Sequence, residues 1–140
     1  PAQLETLRLL LRHPDVRRRF TIVMLHHHVT QTPIDDSQNG VVRRLYDRIE
    51  RSFMDKLDNA REVKELLTRS RVDLILHGHQ HHTYKTFMGN IRVFCSGSSI
   101  YPGTDGDIRP FYEIYTLQDL HLSVESWYHD GQTFVSACPV

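Results

Sequence analysis

Leucine recurs at Leu4, Leu7, Leu10 and Leu11, a spacing that predicts a helix from Gln3 to about Arg12 with one apolar stripe. Pro14 ends it, because proline lacks an amide proton and its ring clashes with the preceding turn. The pattern then becomes continuous. Residues 21–25, Thr-Ile-Val-Met-Leu, form an unbroken run rich in β-branched side chains, which predicts a strand buried on both faces. Residues 30–40 carry Pro33, Asp35, Asp36, Asn39 and Gly40 and read as a loop by their turn chemistry. Apolar positions at 41, 42, 45, 46, 49 and 53 predict a second amphipathic helix, studded with arginine. A third helix begins near Asn59, where Asn59 and Glu62 have capping-box spacing, and Val63, Leu66 and Leu67 form its inner face. Residues 72–76 then read as a short buried strand. The crossover between the two strands is long enough to make them parallel.

Beyond His82 the texture changes. Residues 82–87, 91–95, 111–117 and 121–128 are strand-like, and the last alternates Leu122, Val124 and Ser126 with outward polar residues. They are separated by Met88-Gly89-Asn90, by a Gly/Ser/Pro/Asp-rich loop over 96–110, and by Gln118-Asp119. This predicts an antiparallel meander of hairpins after a parallel α/β portion.

A chain of 140 residues accommodates one core, so residues 1–140 are expected to form a single domain. The 17 basic and 17 acidic residues balance, so no global charge steers the chain towards nucleic acid or membrane. Arg17, Arg18 and Arg19 read as a solvated helix end. No segment reaches bilayer length and no signal-peptide pattern opens the chain. Cys95 and Cys138 are far apart without metal spacing, and Cys95 in Ile-Arg-Val-Phe-Cys reads as a buried free thiol. A cytoplasmic location is expected.

The chemistry lies where the two buried strands stop. The first runs into His26-His27-His28 and the second into His77-Gly78-His79-Gln80-His81-His82. Two adjacent parallel strands that both end in histidine bring imidazoles to one edge of a sheet. The intervening residue leaves His79 and His81 on one side, and Gly78 leaves room for close approach. Neutral imidazole suits Zn, Fe, Mn, Co or Ni, so His26, His79 and His81 are the expected metal ligands. His27, His28, His77 and His82 are expected to support the ligands, face substrate or lie at the surface. Ser96, Ser98 and Ser99 lack a Gly-x-Ser-x-Gly elbow, and no phosphate-cradling Gly-x-x-x-x-Gly-Lys loop is present.

These residues resemble the calcineurin-like metallophosphoesterases. That family's last two motifs are a strand ending in histidine, here Met24-Leu25-His26-His27-His28, and Gly-His-x-His, here Gly78-His79-Gln80-His81. The stretch LDNAREVKELLTRSRVDLIL resembles the helix and strand leading into Gly-His-x-His in the branch that includes cyclic-nucleotide phosphodiesterases. TYKTFMGNIRVFCSGS resembles the following hairpin. The likeness spans about residues 3 to 128.

The resemblance implies the carboxy-terminal half of a four-layer α-β-β-α sandwich, in which His26 and His79 bind one divalent metal and His81 a second. The reaction it implies is hydrolysis of a phosphate monoester or diester by a hydroxide bridging two metals. The family's amino-terminal motifs, Asp-x-His, Gly-Asp-x-x-Asp and Gly-Asn-His, do not occur: Gly106-Asp107 has the wrong spacing and Gly89-Asn90 is followed by Ile91. The expectations are therefore weak or single-site metal binding, no meaningful turnover by this chain alone, and pairing with a missing amino-terminal half or self-association along strand 21–25. A phosphate ester is the expected substrate, with no membrane and no specific nucleic-acid partner. Residues 30–53 are expected to overhang the site and shape access, while Arg43, Arg44, Arg48 and Arg51 fall on mixed faces and read as solvent-exposed rather than as contacts to an anionic ester. The alternative is a non-catalytic binding or scaffold module on the same fold. A structural zinc module fits less well, because no cysteine pairs accompany the histidines.

Overall fold

The computed structural model describes residues 2–27, 29, 59–78, 83–96, 99–100 and 109–137. The expected loop over 30–40, the helix over 41–53 and most of the 96–110 loop lie outside the described residues, as do His28, His79, His81 and His82.

Helix α1 spans Ala2–Arg12 and buries Leu4 and Leu11, with Leu7 packed beside them. Leu10, assigned to the same stripe by spacing, is instead 55% exposed, because the buried face follows the 4-7-11 line. Pro14 ends α1 and also starts a further turn, α2, over Pro14–Arg17. His13 is extended, its Nδ1 accepts the Asp15 amide at 3.3 Å, and proline occupies a first-turn position where no amide bond is lost. Helix α3 runs over Ala60–Arg69 and buries Val63 and Leu67. The expected capping box does not form: Asn59 is the N-cap, but its side chain makes no capping bond and only its carbonyl receives the Val63 amide, at 3.0 Å.

Among the described residues, seven strands form two sheets. Strands β1 (Ile22–Leu25), β2 (Leu74–His77), β3 (Tyr84–Met88) and β4 (Ile91–Cys95) make the first, in the order β1-β2-β4-β3. Within it β1, β2 and β4 are parallel and β3 is antiparallel. Strands β5 (Phe111–Gln118), β6 (His121–His129) and β7 (Phe134–Ser136) make a separate antiparallel sheet. The expected continuous meander is thus two units. The β3–β4 hairpin attaches to the parallel strands, and β7, only three residues long, gave too short a pattern to read. The fold is mixed α/β with two sheets.

The helices cover one face of the first sheet, where Val23, Ile75, Met88, Ile91 and Val93 join Leu4, Leu11, Val63 and Leu67 in one core cluster. The second sheet covers part of the other face. There Phe94 stacks on Tyr115, with ring centroids 6.1 Å apart and 25° between planes. Beside that stack lies the Glu113 carboxylate, whose side chain is only 3% exposed. Its Oε1 pairs with Lys85 Nζ of the first sheet at 3.0 Å and accepts Ser126 Oγ at 3.2 Å, while Tyr115 donates its hydroxyl to Oε2. Lys85 also lies 5.3 Å from the Phe94 ring centroid.

Strand β2 is buried on both faces, with Leu74 and Ile75 at 0% exposure, as its continuous apolar run predicts. Strand β1 differs. It is expected to be covered on both faces, yet among the described residues it is the sheet's edge, with Met24 77% and Ile22 39% exposed on the face opposite Val23.

The hairpin turns after β3 and β5 both use positive backbone angles. In the two-residue turn after β3, Gly89 has φ 62° and Asn90 does not, the type II′ pattern for which glycine is suited. The turn after β5 is Asp119-Leu120, one residue later than expected, with φ 48° and 65°. A Cβ is disfavoured in the left-handed region, and Leu120 at 69% exposure gains little burial in return. Leu120→Gly is therefore expected to raise the unfolding free energy by roughly 0.5 to 1 kcal/mol, the left-handed penalty less glycine's extra unfolded entropy. A urea titration measures it, and equal or lower stability would contradict the strain.

Candidate metal centre

Strands β1 and β2 are paired in register, with Leu25 opposite His77. The residues that follow, His26 and Gly78, therefore leave the sheet side by side at its carboxyl edge. The local sequence dictates this: four apolar residues in β1 and three in β2 carry the chain through the core, and histidine begins where each strand ends.

His26 is exposed and His27 half-buried, their rings 5.0 Å apart at 74°. His77 is the last residue of β2 and only 4% exposed. Its Nε2 lies 3.1 Å from the Tyr84 hydroxyl, with the rings edge to face at 5.5 Å. Its carbonyl accepts the Ser96 amide at 2.9 Å, which ties β2's end to the residue after β4. Burial holds the His77 imidazole below its ordinary pKa, so it is neutral at neutral pH; a hydrogen bond that the ring donates to the Gly78 backbone opposes that shift. A Cβ added at Gly78 would come no closer than 4.0 Å to another atom, Ser96 O, so crowding by the described residues does not itself demand glycine there.

Cys95, the last residue of β4, pairs in register with His77 and is a buried free thiol, as its sequence context predicts. Its Sγ lies 3.9 Å from Gly78 O. Burial, reinforced by the Glu113 charge, pushes its pKa up to about 12. It therefore stays protonated at neutral pH and is a poor nucleophile.

Of the three expected ligands, His26 is placed at the carboxyl edge beside the end of β2, and His79 and His81 lie outside the described residues. Among the described residues, no three His, Cys, Asp or Glu side chains converge as a metal shell. Sequence reasoning did not identify Tyr84, which holds His77, or the Ser96 amide. A Tyr two residues after His82 on a strand of alternating pattern was the available signal. It also missed buried Glu113, although Phe-Tyr-Glu-Ile-Tyr puts it on the same strand face as Phe111 and Tyr115. No protein-family model matches the chain, and no curated protein matches it. Among the described residues, no helix is long and apolar enough to cross a membrane.

The Cys95 environment gives a pH dependence with a definite sign. Unfolding exposes a thiol of ordinary pKa 9.0, while the folded thiol ionises near 12. Above pH 9.0 the unfolded chain releases a proton that the folded chain retains, so Cys95 makes stability fall as pH rises towards 12. In a Cys138→Ser background, iodoacetamide at pH 8 is expected to label Cys95 far more slowly in the folded chain than in urea. Equal rates would place the thiol in solvent.

Proposed function

We propose that this chain is the histidine-bearing half of a calcineurin-like, dinuclear metallophosphoesterase. One observation carries the reading: β1 and β2 are adjacent, parallel and in register, and each runs directly into histidine at the same sheet edge. In this reading His26 and His79 hold one divalent cation and His81 a second, with carboxylate ligands contributed from outside these residues. When bound, the cations supply Lewis acidity that activates water and neutralises the phosphoryl oxygens. Neutral imidazoles suit Mn, Fe, Zn, Co or Ni without adding charge.

The described residues have roles around that site. Tyr84 and the Ser96 amide fix His77 and so the exit of the chain into Gly78-His79. A neutral, buried His77 keeps positive charge away from the cations. Exposed Ile22 and Met24 on edge strand β1 support pairing with the missing half of the sandwich, or with another copy when that half is lacking.

Hydrolysis of bis-p-nitrophenyl phosphate with Mn²⁺ by the full-length protein tests the chemistry. His79→Ala is expected to remove more than the roughly 10- to 100-fold lost with an outer-shell partner. Unchanged hydrolysis would remove His79 from the site. The edge has its own test in sedimentation of this chain. The chain is expected to associate, and Met24→Lys, a charge at an exposed position, is expected to shift it towards monomer. A compact monomer without the substitution would oppose the edge assignment.

A further inference from the structure

The opposite, amino-terminal end of the parallel strands carries a different chemistry. A cleft of about 460 Å³ lies between α1–α2 and α3, lined by Arg8, Arg12, Arg17, Arg69 and Arg71. Two glutamates, Glu62 and Glu65, share the wall, so guanidinium groups outnumber carboxylates there. Glu65 is already divided between Arg61, at 3.1 Å, and Arg69, at 3.9 Å, and Arg8 lies 3.6 Å from Glu5. Among the described residues, Arg12, Arg17 and Arg71 form no ion pair.

The backbone that carries two of these arginines is braced. Thr21 Oγ1 donates to the Val16 carbonyl at 3.2 Å, beside Arg17, and the Thr21 amide donates to Asp73 Oδ2 at 2.8 Å, two residues beyond Arg71. One threonine therefore fixes the approach of both segments. On the α3 side, Ser70 Oγ bonds the Leu66 carbonyl at 2.7 Å and the Ser70 amide bonds the Leu67 carbonyl at 3.1 Å. The arginines are presented from a held frame rather than from a loose tail.

Like charges gathered in one cleft repel each other unless an anion sits among them, and guanidinium forks match phosphate oxygens in pairs. The volume is in the range of small-molecule sites. The carboxylates in the wall interrupt any uniform basic track, which favours a compact ligand over an extended polyanion. We propose that this cleft binds a compact polyphosphate group, a di- or triphosphate. It lies roughly 13 Å of strand away from the histidine edge and does not depend on the phosphoesterase reading.

Isothermal titration of the chain with pyrophosphate, at low ionic strength and with a chelator present, tests it. Saturable binding of one anion per chain is expected. Each arginine removed is expected to weaken binding about tenfold, so Arg17→Gln with Arg71→Gln gives roughly 100-fold, with folding checked by circular dichroism. Arg109→Gln, the loss of one charge just ahead of the second sheet, is expected to leave affinity almost unchanged, as is His79→Ala. Absence of saturable binding, or a loss of about tenfold in Arg109→Gln, would overturn the proposal. So would a loss in His79→Ala, which moves the anion to the histidines. A single-stranded oligonucleotide binding more tightly than pyrophosphate, with affinity rising with its length, would also overturn it in favour of a nucleic-acid backbone.

Discussion

A buried carboxylate dictates how the two sheets face each other. Removing the Glu113 charge from water is unfavourable unless its oxygens are paired, and the pairs come from both sheets: Lys85 from the first, Tyr115 and Ser126 from the second. Sliding one sheet over the other would strand that charge, so the network selects one packing among those that would bury a similar apolar area. Phe94 and Tyr115 stack beside it and supply the non-directional part of the contact. The effects spread along β4. Tyr115 is held protonated by burial and by its bond to Glu113, and the same carboxylate adds to the upward shift at Cys95. Cys95 is the register partner of His77, so the sheet-to-sheet latch and the end of β2 are neighbours on one ladder.

Strand β1 shows the reverse situation, a sequence suited to a covered position placed at an edge. Ile22 to Leu25 carry no charge, proline or bulge to discourage further pairing, the devices edge strands normally use. Parallel strands are ordinarily covered on both faces, because their crossovers place other elements there. The helices satisfy this for Val23, while Met24 faces away uncovered. A strand of this composition is most stable when another strand lies beside it and another layer lies over Met24. The proposed half-sandwich role rests on this mismatch as well as on the histidines.

How far the fold could be read from sequence follows from the range of the interactions. Leu4, Leu7 and Leu11, or Val63 and Leu67, reveal a helix because their partners lie within a turn or two of each other. Leu10 was misassigned because periodicity locates a stripe but not its boundary. The direction of β1 and β2 was legible from crossover length, and so was the arrival of histidines at strand ends. The division into two sheets was not, because it depends on Lys85 meeting Glu113 across the sandwich, a pairing between residues far apart in sequence. Asn59 looked like a capping residue from its spacing to Glu62, but a cap also needs a backbone conformation that spacing does not specify. The burial of β1 was over-read for a related reason: an apolar run records what a strand is suited to, not what covers it.

Parallel pairing explains why the two ends of the first sheet can differ so sharply in character. When β1 and β2 run the same way, everything before them collects at one end and everything after them at the other. Arg17 and Arg71 precede the strands, and His26 and Gly78 follow them. Thr21 and Asp73 close the first end with paired hydrogen bonds, including Asp73 N to Thr21 O at 3.0 Å, which fixes the register before the strands begin. That register then determines which residues emerge together at the far end. A slip of one residue would exchange the inner and outer faces of β1 and carry Val23 out of the core. The Thr21–Asp73 clamp, remote from the histidines, is therefore what sets His26 beside Gly78. The alignment of the candidate metal centre is built from the opposite end of the sheet.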